Sequence, residues 1–315
     1  MKNHISLFIF AIALLSGPVS ANDLSMTAVK DTLASIPGEH NYIYVRTPLG
    51  EDEEKNYDEI TFYDGLGREL DFAQSYGADR AGAIMAHHHL IEYDSLGRKE
   101  KQWLSTNTSF SYMSPEDLKG GVLWDYHDAG KRSYLQTNYE SSPLNRITEQ
   151  YGVGDAWGDH PARMEYLTNI PADSLRCSFY FIDDNDSLIR RGDYRSGELQ
   201  VTKATDEDGK PTYTFVDKQG RTLLTRLGRG NQQADTYFVF DRFGRIRYVL
   251  PPMINDEISA GNLDLYAYQY LYDSFGRCIS KKLPGCAAIG YVYDKADRVI
   301  LSQNGNQSQK KEWTF

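Results

Sequence analysis

Short runs of strand-forming residues, separated by polar turns, make up most of this chain. In Asn41 to Leu49, tyrosines alternate with Ile43 and Val45, and this period of two is typical of a half-buried β-strand. Tyr237 to Phe240 and Ile246 to Leu250 stand on either side of a polar turn and consist mainly of aromatic and aliphatic residues. The pattern predicts a mainly β protein built from successive antiparallel hairpins.

Helical patterns are confined to the N-terminal half. Apolar residues recur near helical spacing in Asn22 to Ile36, which predicts a short helix. Ser114 is followed by Pro115 and then by two acidic residues, which is typical of a helix start. We therefore expect a second helix from Ser114 to about His127, and one or two short helices in this half overall.

The pattern of strand-forming residues and turns changes near residue 170, and we place a domain boundary there. Residues 22–170 form the predicted N-terminal domain. From Leu175 onward consecutive strands and turns dominate, so residues 171–315 form a predicted repeat region. A chain of 315 residues has room for two domains of this size.

One five-residue word, Asp-x-x-Gly-Arg, recurs at the turns. A chain of this length would contain it by chance on the order of 0.1 times at average residue usage, so the copies form a repeat. The five complete copies carry Asp64, Gly67 and Arg68; Asp94, Gly97 and Arg98; Asp217, Gly220 and Arg221; Asp241, Gly244 and Arg245; and Asp273, Gly276 and Arg277. A sixth copy has Asp294 and Arg298, with Asp297 at the glycine position.

The residue types of this five-residue word predict a β-turn. An aspartate at the first position of a type I turn accepts a hydrogen bond from the backbone two residues later, and glycine at the fourth position takes the left-handed conformation. The arginine begins the return strand, where its guanidinium can reach the turn aspartate and its stem can cover aromatic neighbours. We prefer this structural interpretation to an acid-base or ligand-binding role for the pairs.

Composition and charge exclude two classes of partner. Aromatic residues make up 13% of the chain and include 23 tyrosines, which suits a sheet-rich protein. The formal net charge is -10, and no basic run is present. We therefore expect neither a nucleic-acid partner nor an anionic membrane surface.

The N-terminus has the pattern of a signal peptide. Lys2 precedes an apolar run from Ile5 to Leu15, and small residues occupy the first and third places of Val19-Ser20-Ala21. We expect cleavage after Ala21, so that residues 1–21 are removed and the mature chain is secreted, periplasmic or at the cell surface. The apolar run is short for a membrane span, which makes a stable membrane anchor the weaker alternative.

Three cysteines leave one pairing open. Cys278 and Cys286 could form a disulfide across an intervening turn if the chain is exported to an oxidising compartment. The alternative is that Cys177, Cys278 and Cys286 are small buried thiols in a sheet core.

Tyr-Asp-x-x-Gly-Arg words in a chain with an export signal resemble the YD repeats of the RHS family. In the first half, the segments Ile60 to Leu70, Ile91 to Lys99 and Ser142 to Tyr166 resemble a domain of unknown function found near the start of such proteins. In the second half, Tyr248 to Pro252 and Val292 to Arg298 resemble the repeat region that follows. The resemblance covers roughly residues 40–315.

The resemblance implies a curled, open spiral sheet that encloses a C-terminal cargo, often a toxin used between bacteria. The core and self-cleavage site of full-length members are absent here, so a truncated or split member is expected, with a complete subunit as the alternative. The implied role is a non-enzymatic shell segment without cofactors. Its partner would be a polypeptide, either the remaining shell or its cargo.

Candidate chemistry outside the repeat is sparse. His87, His88 and His89 are adjacent, but neighbours on a strand point to opposite faces, so at most two share a side for a metal. The acidic segments Asp183 to Asp186 and Asp206 to Gly209 lack the full spacing of a calcium loop, and we interpret them as solvated hairpin turns.

Two other classes of function remain as alternatives. A surface module could bind a cell-surface glycan or a protein through exposed aromatic residues such as Trp124 and Trp157. A hydrolase using His160 with Asp155 rests only on their closeness in the sequence.

Overall fold

The computed structural model describes residues 40–48, 56–75, 85–229 and 232–315. The predicted signal peptide, the predicted helix at Asn22 to Ile36 and the connection around residues 76–84 lie outside them. The chain divides by its contacts after Pro161 into two compact units, which we call unit 1 and unit 2. This division falls a few residues before the predicted domain boundary, because the strand that begins at Ala162 pairs within unit 2.

Unit 1 contains eight strands and one α-helix in its described residues. They are β1 (Asn41–Pro48), β2 (Asn56–Tyr63), β3 (Glu69–Ser75), β4 (Met85–Tyr93), β5 (Lys99–Trp103), β6 (Thr106–Ser109), α1 (Pro115–Asp125), β7 (Tyr134–Tyr139) and β8 (Ile147–Tyr151). Strands β1 to β4 pair in order, and all pairs are antiparallel. The first part of β4 pairs with β6 and its last part with β5, which continues to β7 and β8.

Unit 2 contains twelve strands and two α-helices in its described residues. They are β9 (Ala162–Thr168), β10 (Ser178–Ile182), β11 (Leu188–Asp193), β12 (Gln200–Thr205), β13 (Pro211–Val216), β14 (Thr222–Arg229), β15 (Gln232–Phe240), β16 (Ile246–Leu250), α2 (Ala260–Tyr266), β17 (Tyr268–Tyr272), β18 (Cys278–Lys282), β19 (Ile289–Tyr293), β20 (Val299–Gln303) and α3 (Gly305–Lys310). β12 lies between β9 and β13, and the pairing then continues in chain order to β20. β10 and β11 form a separate hairpin.

The predicted fold class is confirmed. The described residues are mainly β, the strands pair antiparallel as successive hairpins, and helices are few. In each unit the series of described pairings is open, since none of them joins the last strand to the first. No helix among the described residues is both long and apolar enough to cross a membrane.

The predicted helix near Ser114 is confirmed, and one of its two glycines has a packing role. Ser114 caps α1 by accepting a hydrogen bond from the backbone N–H of Asp117, and Pro115 is the first helical residue. A side chain at Gly121 would meet Oγ1 of Thr106 at 2.8 Å, so glycine lets α1 approach β6. The sequence analysis missed α2 and α3 in the C-terminal half, which are short helices with N-caps at Ser259 and Asn304.

The core of unit 2 lies between its sheet and the β10–β11 hairpin. Leu224, Val239 and Leu250 from the sheet are buried in one cluster with residues of the hairpin. Both nitrogens Nη1 and Nη2 of Arg247 donate to the carboxylate of Asp186 at 2.7 Å, which holds the hairpin turn over the sheet. Unit 1 has a smaller core between its strands, formed by five buried residues: Ile60, Phe62, Ala73, Ala86 and Phe110.

The cysteines do not pair in the structure. All three are free thiols, so the disulfide between Cys278 and Cys286 is not formed. Cys177 is buried in the core of unit 2, and burial raises the pKa of its thiol to about 12. Cys286 is exposed, so the expectation of buried thiols holds for Cys177 but not for Cys286.

A paired and hydrogen-bonded charge is buried in the core of unit 2. Arg226 on β14 is 2% exposed and lies opposite Asp235 on β15. Its Nε and Nη2 donate to the two carboxylate oxygens of Asp235 at 2.7 and 2.6 Å, and its Nη1 donates to the carbonyls of Ser174 and Arg176. A buried guanidinium is stable only when its donors are satisfied in this way.

Asp235→Ala is expected to lower the free energy of unfolding of unit 2 by about 3–5 kcal/mol, because it leaves Arg226 buried without its counter-ion. Glu165→Ala is the matched control, since it breaks the exposed Lys203–Glu165 pair between β12 and β9 of the same unit and should cost under about 1 kcal/mol. Urea unfolding of both variants gives the two values. Equal losses in the two variants would contradict the structural role of the buried pair.

Candidate functional site

Every copy of the Asp-x-x-Gly-Arg word forms the same turn. At Asp241, Oδ1 accepts hydrogen bonds from the backbone N–H groups of Phe243 and Arg245, both at 2.9 Å. Oδ2 accepts from Nε of Arg245 at 2.7 Å. The same three hydrogen bonds occur in the turns that begin at Asp64, Asp94, Asp217, Asp273 and Asp294.

The fourth position of each turn takes the left-handed backbone conformation. Gly244 has φ of 78°, and the other four glycines of the complete words have values from 77° to 86°. Asp297 holds this conformation in the sixth copy with φ of 60°. Aspartate is among the few residues with a side chain that enter this region at modest cost, so the degenerate word still forms the turn.

Two further hairpin turns share the aspartate hydrogen bonds of the repeat turns, a likeness that the sequence analysis did not recognise. Asp183 and Asp206 begin them, and each Oδ1 accepts from the backbone N–H groups two and four residues later. Ser187 and Lys210 stand where the other turns have arginine. The acidic segments therefore are hairpin turns, as the sequence analysis expected, and their first carboxylates are occupied by their own backbone.

A wider turn in unit 1 uses glutamate instead of aspartate. The carboxylate of Glu140 accepts from Nε and Nη2 of Arg146, each at 2.7 Å, and from the hydroxyl of Ser142. The hydrogen bonds from Arg146 lower the pKa of Glu140 to about 2. This turn contains the segment after Ser142 that carried the family resemblance, but its relation to the five-residue word is visible only in the structure.

An aromatic residue links each turn to the one before it. The guanidinium of Arg68 lies over the ring of Tyr93 at 4.5 Å, and the hydroxyl of Tyr93 donates to the carbonyl of Glu69 at 2.8 Å. The same double contact joins Arg98 to Tyr139, Arg245 to Tyr272, and Arg277 to Tyr293. Phe240 replaces tyrosine over Arg221 and makes the ring contact alone.

The arginines also reach forward to the next turn by hydrogen bonds. Nη1 of Arg98 donates to the carbonyl of Glu140 at 2.9 Å, and Nη1 of Arg245 donates to that of Asp273 at 3.3 Å. We call each connected series a turn ladder. The turn ladder of unit 1 joins the turns at Asp64, Asp94 and Glu140, and that of unit 2 joins the turns at Asp217, Asp241, Asp273 and Asp294.

The turn aspartates are held in their ionised form. At Asp241 burial acts to raise the pKa, but hydrogen bonds from the backbone and side chain of Arg245 outweigh it, and the pKa lies below its ordinary value. At Asp64 the backbone N–H of Arg68 is the largest cause of a lowered pKa. The pKa values of Asp94, Asp217, Asp273 and Asp294 are lowered in the same way. These carboxylates are therefore poor general acids or bases at neutral pH.

The turn tips expose apolar side chains. The third position of the word carries Leu66 and Leu96 in unit 1 and Phe243 and Phe275 in unit 2, each at least 67% exposed. The guanidinium of Arg245 lies 4.9 Å from the ring of Phe243, so it is covered by aromatic rings from its own turn and from the next. Exposed apolar side chains on neighbouring turns are a surface feature typical of contact with a partner.

The three adjacent histidines do not converge. His88 is buried, its Nδ1 lies 2.6 Å from Oδ2 of Asp71, and its Nε2 lies 3.0 Å from the carbonyl of Ser109. His87 is exposed on the other face of β4. The alternation expected for a strand is confirmed, and no group of three metal-ligating side chains occurs within the described residues.

The proposed hydrolase pair is not assembled. The carboxylate of Asp155 accepts hydrogen bonds from the backbone N–H groups of Lys131 and Arg132. The side chain of His160 is exposed, and no hydrogen bond joins it to Asp155 in the part of the chain that the structure describes. Asp155 thus fixes a chain segment rather than orienting a base.

Comparison with known proteins supports the fold and part of the resemblance. Residues 41–168 match the family model described as a domain of unknown function (DUF6443), which includes the segments compared above with such a domain. No curated protein matches the chain.

The fold is similar to the crystal structures of TcdB2-TccC3-Cdc42 and TcdB2-TccC3. The TM-scores are 0.54 and 0.53, the identity is 14% in both, and the matches cover 90% and 93% of this chain. TcdB2-TccC3 without its hypervariable C-terminal region gives a TM-score of 0.54 at 14% identity over 89% of this chain. In each case the match covers no more than 14% of the other chain, and at this identity it shows a common fold alone.

Arg245→Lys is expected to lower the free energy of unfolding by about 2 kcal/mol, because lysine loses the paired bonds to Asp241 and the flat contact with Tyr272. Arg298→Lys is the matched control, since Arg298 bonds its own turn aspartate but is 79% exposed and ends the turn ladder. Urea unfolding should show no measurable change for Arg298→Lys. If both substitutions have the same effect, the links between turns do not contribute.

The stability of the chain is expected to fall steeply below about pH 4. The turn aspartates have folded-state pKa values below the ordinary 3.8, so their contribution is complete above that value and is lost as the pH falls through the lowered values. The urea midpoint measured from pH 7 downward tests this. Replacing Asp241 and Asp273 by asparagine should make the urea midpoint depend less on pH below about pH 4. An unchanged pH dependence would contradict the assignment.

Proposed function

We propose that this chain is a non-enzymatic, structural β-sheet segment of a secreted RHS-type protein of the polymorphic-toxin kind. Its role is to enclose or present a partner polypeptide. The turn ladder is the observation that carries the proposal. It joins one hairpin to the next through the same contacts, so the sheet can be extended by adding turns. The likeness of fold to TcdB2-TccC3 supports the proposal.

The charged groups of the turn ladder favour a structural role over catalysis. Each turn aspartate accepts at both oxygens, and an arginine such as Arg245 is shared between that carboxylate and the next turn. A catalytic group needs a lone pair or proton directed at a substrate, and these groups direct theirs at each other. We therefore propose that the Asp-x-x-Gly-Arg words are YD repeats whose role is to join neighbouring hairpins.

The proposed partner is a polypeptide, either further shell or cargo. The chain covers 14% of the length of the TcdB2-TccC3 chain that it resembles, so a complete enclosure would need more sheet than the described residues supply. The exposed apolar turn tips Phe243 and Phe275 suit contact with another protein. Export through residues 1–21 would place this assembly outside the cytoplasm.

A stand-alone module that binds glycan or protein is the second candidate. Trp124 on α1 is 82% exposed, which is unusual for so large an apolar side chain. Trp157 is 46% exposed and lies over Gly152, where an added side chain would meet its ring at 3.3 Å. Exposed rings suit a binding contact, but they do not explain the turn ladder, and we place this candidate second.

The proposal is tested by producing the tagged, full-length chain together with the products of the neighbouring reading frames. We expect an exported chain that begins at Asn22, a complex with a second chain rich in Asp-x-x-Gly-Arg words or with a cargo chain, and slower tryptic digestion of that partner in the complex. Mass spectrometry and size-exclusion chromatography give these results.

The control is the same partner digested without this chain. A partner that is cut at the same rate in both samples, and that elutes separately, would falsify the enclosing role. A chain that retains Met1 and stays in the cytoplasm would contradict the proposed export.

A further inference from the structure

A polar cleft of about 700 Å³ lies in unit 2 beside the first turn of its ladder. Phe179 and Arg191 of the β10–β11 hairpin line one part of it, and the segment from Tyr194 to Leu199 lines another. The turn at Asp217 contributes Lys218 and Arg221. The cleft is therefore built by the β10–β11 hairpin, the segment that follows it, and the turn at Asp217.

The carboxylates of the cleft are occupied by the protein itself. Asp217 accepts from its own turn and from Arg221, and Glu198 accepts from the backbone N–H of Arg195 at 3.0 Å. Asp193 lies 3.5 Å from Nη2 of Arg190. Because each of these carboxylates already has a partner, the cleft does not favour a cationic ligand.

Three cationic side chains of the cleft, in contrast, have no partner among the described residues. The side chains of Arg191, Arg195 and Lys218 are exposed, and none of them has a hydrogen bond or ion pair with another described residue. Two guanidinium groups and one ammonium group that line the same cleft favour an anionic ligand with more than one negative group.

A smaller pocket shares a wall with the cleft. Phe179, Tyr194 and Arg221 line both, and seven of the ten residues around the smaller pocket are aromatic. Its volume is about 130 Å³, which is close to the cavity of roughly 150 Å³ known to hold a benzene molecule. A single aromatic or large aliphatic side chain therefore fits in it.

We propose that the cleft and the pocket together form a binding site for an acidic peptide segment. One aromatic or large aliphatic side chain of the segment enters the aromatic pocket, and the acidic residues beside it pair with Arg191, Arg195 and Lys218. Charge complementarity and the aromatic pocket beside the cations point to this occupant. The inference does not depend on the chain being part of a larger shell.

An anionic glycan meets the cationic cleft equally well but not the pocket. A sugar ring in the pocket would be surrounded mainly by aromatic rings, so several of its hydroxyl groups would lose hydrogen bonds to water, which is costly. A peptide side chain such as phenylalanine has no polar group to satisfy. The two kinds of ligand are distinguished by the experiment.

The probes are three capped pentapeptides, acetyl-EEFEE-amide, acetyl-EEAEE-amide and acetyl-KKFKK-amide, titrated into the full chain by calorimetry. We expect acetyl-EEFEE-amide to bind and acetyl-EEAEE-amide to bind at least about tenfold more weakly, because it lacks the buried ring. The basic peptide should not bind. Equal binding of the first two peptides would overturn the proposal.

The variant Arg191→Ala/Arg195→Ala/Lys218→Ala is expected to weaken binding of acetyl-EEFEE-amide about tenfold, the combined effect of three exposed ion pairs. The matched control, Arg242→Ala/Lys295→Ala/Lys310→Ala, removes three exposed cations elsewhere in unit 2. Arg242 and Lys295 hold the same place in their turns as Lys218. The control should bind like the unaltered chain.

Three results would overturn the site. They are equal affinity in the two triple variants, no binding of acetyl-EEFEE-amide, and displacement of that peptide by trigalacturonic acid at lower concentration than by the peptide itself. Circular dichroism checks that each variant folds. If the cleft variant does not fold, the comparison of the three peptides on the unaltered chain decides.

Discussion

The pairing of an acid with an arginine inside each turn of the two turn ladders is the interaction on which the described structure depends. In the turn at Asp241, one carboxylate oxygen orders the backbone and the other fixes the guanidinium of Arg245. The plane of that guanidinium is thereby set for the ring of Tyr272 and for the carbonyl of Asp273. Lysine could not supply this geometry, because its charge is a point on a flexible stem.

Pairs of an acid with an arginine also occur within the sheets. Arg226 and Asp235 pair across neighbouring strands in unit 2, and in unit 1 Asp58 accepts both from Arg46 and from the hydroxyl of Tyr44. Sheets rich in tyrosine and charged residues have fewer aliphatic side chains to bury, so their polar groups must be matched in pairs. The pairs are specific to one strand register, and a shift by one residue would separate them.

The contrast between the turn ladder and the cleft explains where a partner is expected to bind. Charges in the turn ladder satisfy one another, whereas the side chains of Arg191, Arg195 and Lys218 have no hydrogen bond or ion pair within the described residues. The charges of the turn ladder join neighbouring hairpins, and the three cationic side chains of the cleft are available for a ligand. Both the enclosing role and the peptide site are proposals built on this division of the charged residues.

The sequence by itself determined the local features of this protein. The turn at Asp241 and the start of α1 at Ser114 are each decided within five residues, because their hydrogen bonds join near neighbours. The tertiary structure decided what distant residues do together. Asp186 and Arg247 are far apart in the chain, and Arg98 meets Glu140 only because β7 pairs beside β5. No local pattern encodes such contacts, since they arise from strand order and register.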